Sequence, residues 1–204
     1  MDIGRIAHGG VYIYRGELDF MARTILDSPH METGGNLFGY WTPSGDAVIM
    51  YVLGPGRKSV ARFTSFIQDA DYLQLHADRL FEEYHLSHIG VWHSHHGLGL
   101  SHPSGGDVQS IQEGMLADGL SRCILAIGIC DRAGASVNAF SFVFKENLKN
   151  RCNFHRSGFV LYMPCISSRN VSRPFGVMSV CVPPQPVFSL THSFNSKRPL
   201  FFSA

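Results

Sequence analysis

Apolar and polar positions along the first 145 residues predict short strands separated by helices. Apolar runs bounded by Gly, Pro, Ser and Asp predict strands over residues 10–15, 34–41, 47–53, 62–67, 88–93, 122–130 and 136–144. Apolar residues near helical spacing predict helices over residues 17–27, 70–84 and 105–118. Turn residues at 43–46 and 131–134 join the strands beside them into hairpins. This order of elements predicts an α/β (α+β) fold with a mixed β-sheet flanked by helices.

The end of the chain differs in composition from the rest. Residues 165–204 are rich in Ser and Pro, and they include the run Pro183-Pro184-Gln185-Pro186. Pro at this density continues neither a helix nor a central strand. We therefore expect one domain over residues 1–164 and an irregular or partly disordered extension over residues 165–204. The net charge of +1 divides unevenly, because residues 1–146 carry −6 and residues 147–204 carry +7, which predicts a compact body with a basic tail.

Composition excludes several classes of protein. Of the 204 residues, 45% are apolar, which suffices for a packed core. The amino terminus lacks the apolar segment of a signal peptide, and no apolar run reaches the roughly 18 residues of a membrane span. The five cysteines are odd in number and form no Cys-x-x-Cys pair, so we expect a reducing, cytoplasmic location rather than a disulfide framework. The basic tail lacks interleaved aromatic residues, so nucleic-acid binding is not expected.

A His-x-His pair near the end of a predicted strand is the first candidate for chemistry. Side chains two apart on a strand point the same way, so His93 and His95 should present both imidazoles to one side. A Gly-rich loop follows, and Asp107 then lies in the first turn of a predicted helix. Two histidines and a carboxylate with one open position are typical of a catalytic zinc site. His96 and His102 are the rival ligands, although His96 should point to the opposite face of the strand.

Other residues in this region have both a structural and a chemical interpretation. Ser104-x-x-Asp107 is also the pattern of a helix capping box, and taken alone the cap is the better interpretation. Glu32 precedes Gly34 and Gly35 at the start of a predicted strand. It could be a solvated turn residue, or it could be the general base that a zinc hydrolase needs in addition to its ligands.

Taken together, Glu32-Thr33-Gly34-Gly35, His93-Ser94-His95 and Ser104-x-x-Asp107 resemble the JAMM signature of the MPN/JAB metallopeptidases. The resemblance covers about residues 9–145 and implies a cytidine-deaminase-like sheet flanked by helices. It also implies one zinc ion per chain held by His93, His95 and Asp107, with Glu32 as general base and Ser104 stabilising the oxyanion. Family members usually have seven residues between the second His and the Ser and a Pro after that His. This chain has eight residues between His95 and Ser104, and His96 stands where family members usually have the Pro. We therefore expect the loop path and the fit of the substrate to differ from theirs.

The resemblance further implies hydrolysis of an amide or isopeptide bond after the tail of a ubiquitin-like protein. Chains with this His-Ser-His-His sequence look closest to bacterial JAB proteins that accompany ubiquitin-like conjugation, so activating and conjugating enzymes are the further expected partners. Two alternatives remain open at this point. One is a zinc hydrolase of a small amide, and the other is a non-catalytic MPN-type interaction scaffold.

Overall fold

A computed structural model describes residues 9–95, 99–131 and 134–144, and it describes the backbone of the strands at 152–157, 159–162, 170–173, 176–179 and 201–203. The helices are α1 (Arg15–Leu26), α2 (Ala70–Tyr84) and α3 (Gly105–Ala117). The strands up to residue 144 are β1 (Val11–Tyr14), β2 (Gly34–Trp41), β3 (Ala47–Leu53), β4 (Val60–Ala61), β5 (Ser65–Ile67), β6 (Ser87–Ser94), β7 (Arg122–Asp131) and β8 (Gly134–Phe144). The later strands are β9 (Cys152–Ser157), β10 (Phe159–Tyr162), β11 (Asn170–Arg173), β12 (Gly176–Ser179) and β13 (Phe201–Ser203).

Within these residues, eight strands form one mixed sheet in the order β10-β1-β3-β2-β6-β7-β8-β9. One of its two central strands is β6, which pairs antiparallel with β2 and parallel with β7. A smaller sheet has the order β13-β5-β4, and β11 and β12 pair with each other. The predicted mixed sheet with flanking helices is therefore confirmed.

The helices cover both faces of the large sheet. Along β7, Ile124 and Ala126 belong to the core cluster that contains Met21 and Ile25 of α1. Their neighbours Leu125 and Ile127 point the other way and pack in the cluster of Ile111 and Met115 from α3. This alternation follows from the period of two along a strand. The buried stripe of α2 forms a third cluster with side chains of β2 and β3. None of the helices in the described residues is both long and apolar enough to cross a membrane.

Most of the helices and strands predicted from the apolar pattern lie within a few residues of their predicted bounds. The helix predicted over residues 70–84 has those bounds, and Asp69 caps it by accepting a hydrogen bond from the Tyr72 amide. The strand predicted over residues 62–67 is wrong in its first half. Residues 62–64 form a turn instead, in which the Arg62 amide donates a hydrogen bond to the Ser65 carbonyl. This turn joins β4 to β5, which pair antiparallel.

The region beyond residue 144 contains strands that the sequence did not predict. β9 and β10 add to opposite edges of the large sheet, beside β8 and β1. β13 lies in the predicted extension and pairs with β5. The predicted boundary between residues 164 and 165 stays a prediction, and the Pro-rich run at 183–186 lies outside the described residues.

Candidate metal centre

Two histidines at the carboxyl end of β6 meet an aspartate from the start of α3. His93, His95 and Asp107 are each at most 1% exposed, and one ligand atom from each lies within 4.8 Å of the others. His93 and Val91 occupy the same face of β6, and Val91 packs in the cluster that contains α3 side chains. The alternation predicted for His93 and His95 therefore directs both imidazoles towards the helix that carries Asp107.

The distances among these atoms suit a divalent metal ion. The two Nε2 atoms are 2.9 Å apart. Oδ1 of Asp107 is 3.1 Å from Nε2 of His93, and Oδ2 is 3.3 Å from Nε2 of His95. Tetrahedral zinc with ligands at 2.0–2.1 Å separates neighbouring ligand atoms by about 3.3 Å. The three side chains thus have nearly the spacing that such an ion requires, and the group could hold a metal ion.

The orientation of His95 is determined by a contact outside the group. Its Nδ1 lies 3.0 Å from the carbonyl oxygen of Leu100. Donation of the Nδ1 hydrogen to this carbonyl leaves the Nε2 lone pair to face His93 and Asp107, as is usual for a metal-binding histidine. The rival His102 is exposed, and the rival His96 lies outside the described residues.

Asp107 is held in place by the capping box predicted from the sequence. The Ser104 hydroxyl accepts a hydrogen bond of 3.1 Å from the Asp107 amide, and the Ser104 amide donates one of 2.7 Å to Oδ2 of Asp107. The structural interpretation of Ser104-x-x-Asp107 is therefore confirmed. It does not compete with the chemical one, because the same carboxylate also faces both histidines.

The electrostatics of the group follow from burial and from close contact. Burial lowers the pKa of His93 and outweighs its hydrogen bond to Asp107. Burial also acts to lower the pKa of His95, but here hydrogen bonding to Asp107 and the Asp107 charge outweigh it and raise the pKa. Burial by itself would raise the pKa of Asp107, yet hydrogen bonds with His93 and His95 bring it well below its ordinary value. Protons and a metal ion therefore compete for the same atoms.

Glu32 is buried beside this group. It is 1% exposed, and neither carboxylate oxygen has a hydrogen-bond partner within the described residues. Burial raises the pKa of Glu32 from 4.5 to about 7; the nearby His95 lowers it and Asp107 adds to the increase. The alternative of a solvated turn residue is wrong, because the side chain is buried. The Glu32 amide also donates to the carbonyl of Arg62, in the turn between β4 and β5.

Two glycines after Glu32 let the strands approach closely at this point. A Cβ on Gly34 would lie 2.5 Å from the Trp92 carbonyl oxygen and 3.0 Å from Cβ of His93. A Cβ on Gly35 would collide with the Leu53 carbonyl oxygen. Side chains at either position would push β2 away from its neighbours. Gly34 therefore lets the segment that carries Glu32 lie close to the end of β6, and Gly35 lets β2 lie close to β3.

The structure adds contributions that the sequence did not indicate. The Leu100 carbonyl orients His95, and Gly99 before it has φ of 60°, a conformation that favours glycine. Ser94, which lies between the two histidines, is fully buried and bonds to the main chain of Thr33. The sequence did carry a signal for this contact, because Ser94 lies between the two candidate ligands. Strand alternation places its side chain on the face opposite theirs.

Comparison with known proteins gives one related sequence and a similar fold. No protein-family model matches the chain. Over 79 residues it is 33% identical to the protein named "Probable metalloprotease y4qB" from Sinorhizobium fredii (strain NBRC 101917 / NGR234). The aligned part is 36% of this chain and 46% of that protein, so the chain spans about half of its relative.

The solution structure of protein DSY2949 from Desulfitobacterium hafniense is similar to this fold. The superposition has a TM-score of 0.54 and covers 74% of this chain and 92% of that one. At 16% identity, the likeness concerns the fold alone.

Proposed function

We propose that this protein is a JAMM-type zinc metallopeptidase that holds one zinc ion per chain through His93, His95 and Asp107. The observation that carries the proposal is a buried group of two imidazoles and a carboxylate at ligand spacing, with a buried carboxylate beside it that has no partner among the described residues. The name of the Sinorhizobium relative supports a metalloprotease. Imidazole and carboxylate ligands that leave one position open favour catalytic zinc over a structural zinc.

The residues around the metal would divide the work of amide hydrolysis. When bound, zinc supplies Lewis acidity, which polarises a carbonyl and acidifies water. Glu32 takes a proton from the attacking water and passes it to the leaving amine. A pKa of about 7 suits this role, because a base is most effective when its pKa is near the working pH. A bound dication would lower that pKa and keep Glu32 in its basic form.

Ser104 is the proposed oxyanion donor. Its Oγ accepts a hydrogen bond from the Asp107 amide in the helix cap. The proposed role uses the hydroxyl hydrogen, which would be donated to the oxygen that gains negative charge in the transition state. The cap keeps Ser104 three residues from Asp107 on the first turn of α3. The helix cap thus supports the placement of the Ser104 hydroxyl close to Asp107, one of the proposed metal ligands.

The proposed substrate is a ubiquitin-like protein, cleaved after its carboxyl-terminal tail. The support for it is the combined pattern of Glu32, the two histidines and Ser104-x-x-Asp107 in the order found in JAMM peptidases. An extended tail can pair with the edge of a sheet and so bring its last carbonyl to a fixed point. The activity would be removal of the modifier or trimming of its precursor in the cytoplasm, alongside activating and conjugating enzymes.

The test uses the full chain loaded with zinc and a ubiquitin-like protein with a Gly-ending tail fused to a reporter. We expect cleavage at the junction, loss of cleavage with chelator and recovery when zinc is added back. Cleavage of small acyl-amides but not of the fusion would favour the small-amide hydrolase. Stoichiometric zinc binding without hydrolysis of either substrate would favour the interaction scaffold.

A further inference from the structure

Ser94 connects the strand that carries the histidines to the segment that carries Glu32. It is fully buried, and its Oγ accepts a hydrogen bond of 3.0 Å from the Thr33 amide and donates one of 3.3 Å to the Thr33 carbonyl. The Ser94 amide donates to that same carbonyl at 2.9 Å. One residue therefore makes three hydrogen bonds with the main chain directly after Glu32.

The hydroxyl takes over the role of a main-chain acceptor. In a regular antiparallel pair the two residues exchange both amide-to-carbonyl hydrogen bonds. Here Ser94 donates its amide to Thr33, but the Thr33 amide is bonded by the Ser94 side chain. The next residue, His95, donates its amide to the Gly128 carbonyl of β7, because successive amides along a strand point to opposite sides. The serine hydroxyl thus keeps the main chain at residue 33 attached to β6 beside the two histidines.

This attachment matters for Glu32 because no hydrogen bond to its side chain is found among the described residues. Neither carboxylate oxygen has a hydrogen-bond partner in the part of the chain that the structure describes. The position of the carboxylate therefore depends on the main chain, which is held by the Arg62 carbonyl at residue 32 and by Ser94 at residue 33. Arg62 belongs to the turn between β4 and β5, whereas Ser94 lies between the two histidines.

We propose that Ser94 is a positioning residue that sets the location of Glu32 relative to His93 and His95. The proposal rests on the proposed function, since the distance between base and metal ligands matters to hydrolysis. Misplacement of a reacting group by about 1 Å can reduce turnover on the order of 10²-fold. Loss of the Ser94 hydroxyl should therefore lower turnover without removing any metal ligand or the base itself.

The first experiment measures the attachment without using activity. Amide hydrogen exchange is compared for Thr33 and for Val91, in the middle of β6, in wild type, Ser94→Ala and Ser94→Thr. Loss of one buried hydrogen bond should raise the Thr33 rate relative to Val91 about 10-fold in Ser94→Ala. Ser94→Thr keeps the hydroxyl and should restore the slow exchange. An unchanged ratio in Ser94→Ala would overturn the proposal.

A second variant covers the case in which Ser94→Ala does not fold. Ser94→Cys is close in size and replaces the hydroxyl by a weaker hydrogen-bonding group. It should raise the Thr33 rate relative to Val91 in the same direction, and a wild-type ratio would again overturn the proposal.

The second experiment measures kcat and KM on the reporter fusion for the zinc-loaded variants. We expect Ser94→Ala to lower kcat about 10-fold, with KM within about twofold and one zinc retained. Ser94→Thr should recover the rate. Ser141→Ala is the matched control, because Ser141 is also a buried serine but lies on β8, away from the site. A wild-type kcat in Ser94→Ala, or an equal loss in Ser141→Ala, would contradict the positioning role. If wild type itself does not cleave, the proposed function fails, whereas the exchange ratio still decides whether Ser94 holds Thr33.

Discussion

Replacing Glu32 by glutamine should change how the stability of the metal-free protein depends on pH. Burial raises the pKa of Glu32 to about 7 from a value of 4.5, which the unfolded chain should show. Between these two values the folded protein binds the proton more tightly than the unfolded chain. The free energy of unfolding therefore falls as pH rises through this window. At 1.36 kcal/mol for each pH unit, the full effect is about 3 kcal/mol at most.

Urea unfolding in the presence of chelator measures this effect for wild type and Glu32→Gln across the window. His93 titrates in both proteins, so its contribution largely cancels in the difference. The Glu32 charge raises the pKa of His95, and loss of that charge in the variant changes the difference in the same direction as Glu32 itself. The cost of burying the glutamine amide is independent of pH and also leaves the slope of the difference unchanged. We expect the stability of wild type relative to the variant to be greatest near the acidic end and to decline towards neutral pH. Parallel curves would refute the reasoning, because they would mean that Glu32 has an ordinary pKa and is in contact with water.

Further predictions concern the metal, the strand contact and the tail. His95→Ala removes a proposed ligand, so elemental analysis should find that the zinc is lost. The control His102→Ala changes an exposed histidine and should keep a full equivalent of zinc. The reverse result would mean that His102, and not His95, is the ligand. Gly35→Ala forces a Cβ into the Leu53 carbonyl oxygen, so urea unfolding should show a loss of at least about 2 kcal/mol, and wild-type stability would contradict the close approach. A chain truncated after Pro164 should fold and bind zinc, as measured by circular dichroism and elemental analysis; aggregation or loss of zinc would place the tail in the core.

Elements with local signals could be predicted from the sequence. The bounds of α2 follow from Asp69 as cap and from an apolar stripe with helical spacing, and both signals lie within the helix or next to it. The shared face of His93 and His95 follows from strand alternation alone. The capping box could likewise be predicted, because its two members, Ser104 and Asp107, are only three residues apart.

Features that depend on distant contacts could not be predicted in this way. The main chain at Glu32 is held by the Arg62 carbonyl, thirty positions later, and no periodicity signals such a contact. The strand at residues 62–67 was predicted too long because the hydrogen bond between Arg62 and Ser65 makes a turn within an otherwise strand-like run. The role of Ser94 depends on Thr33, which is 61 positions away.

The measurement that tests the central claim most directly is the turnover of zinc-loaded Glu32→Gln on the reporter fusion. Glutamine keeps the size and shape of the side chain but removes the basic carboxylate. We predict a rate at least ~10²-fold below wild type, the scale of a lost general base, in a variant that retains its zinc. Near-normal turnover in that zinc-loaded variant would contradict the mechanism, because hydrolysis would then proceed without the residue assigned to move the proton.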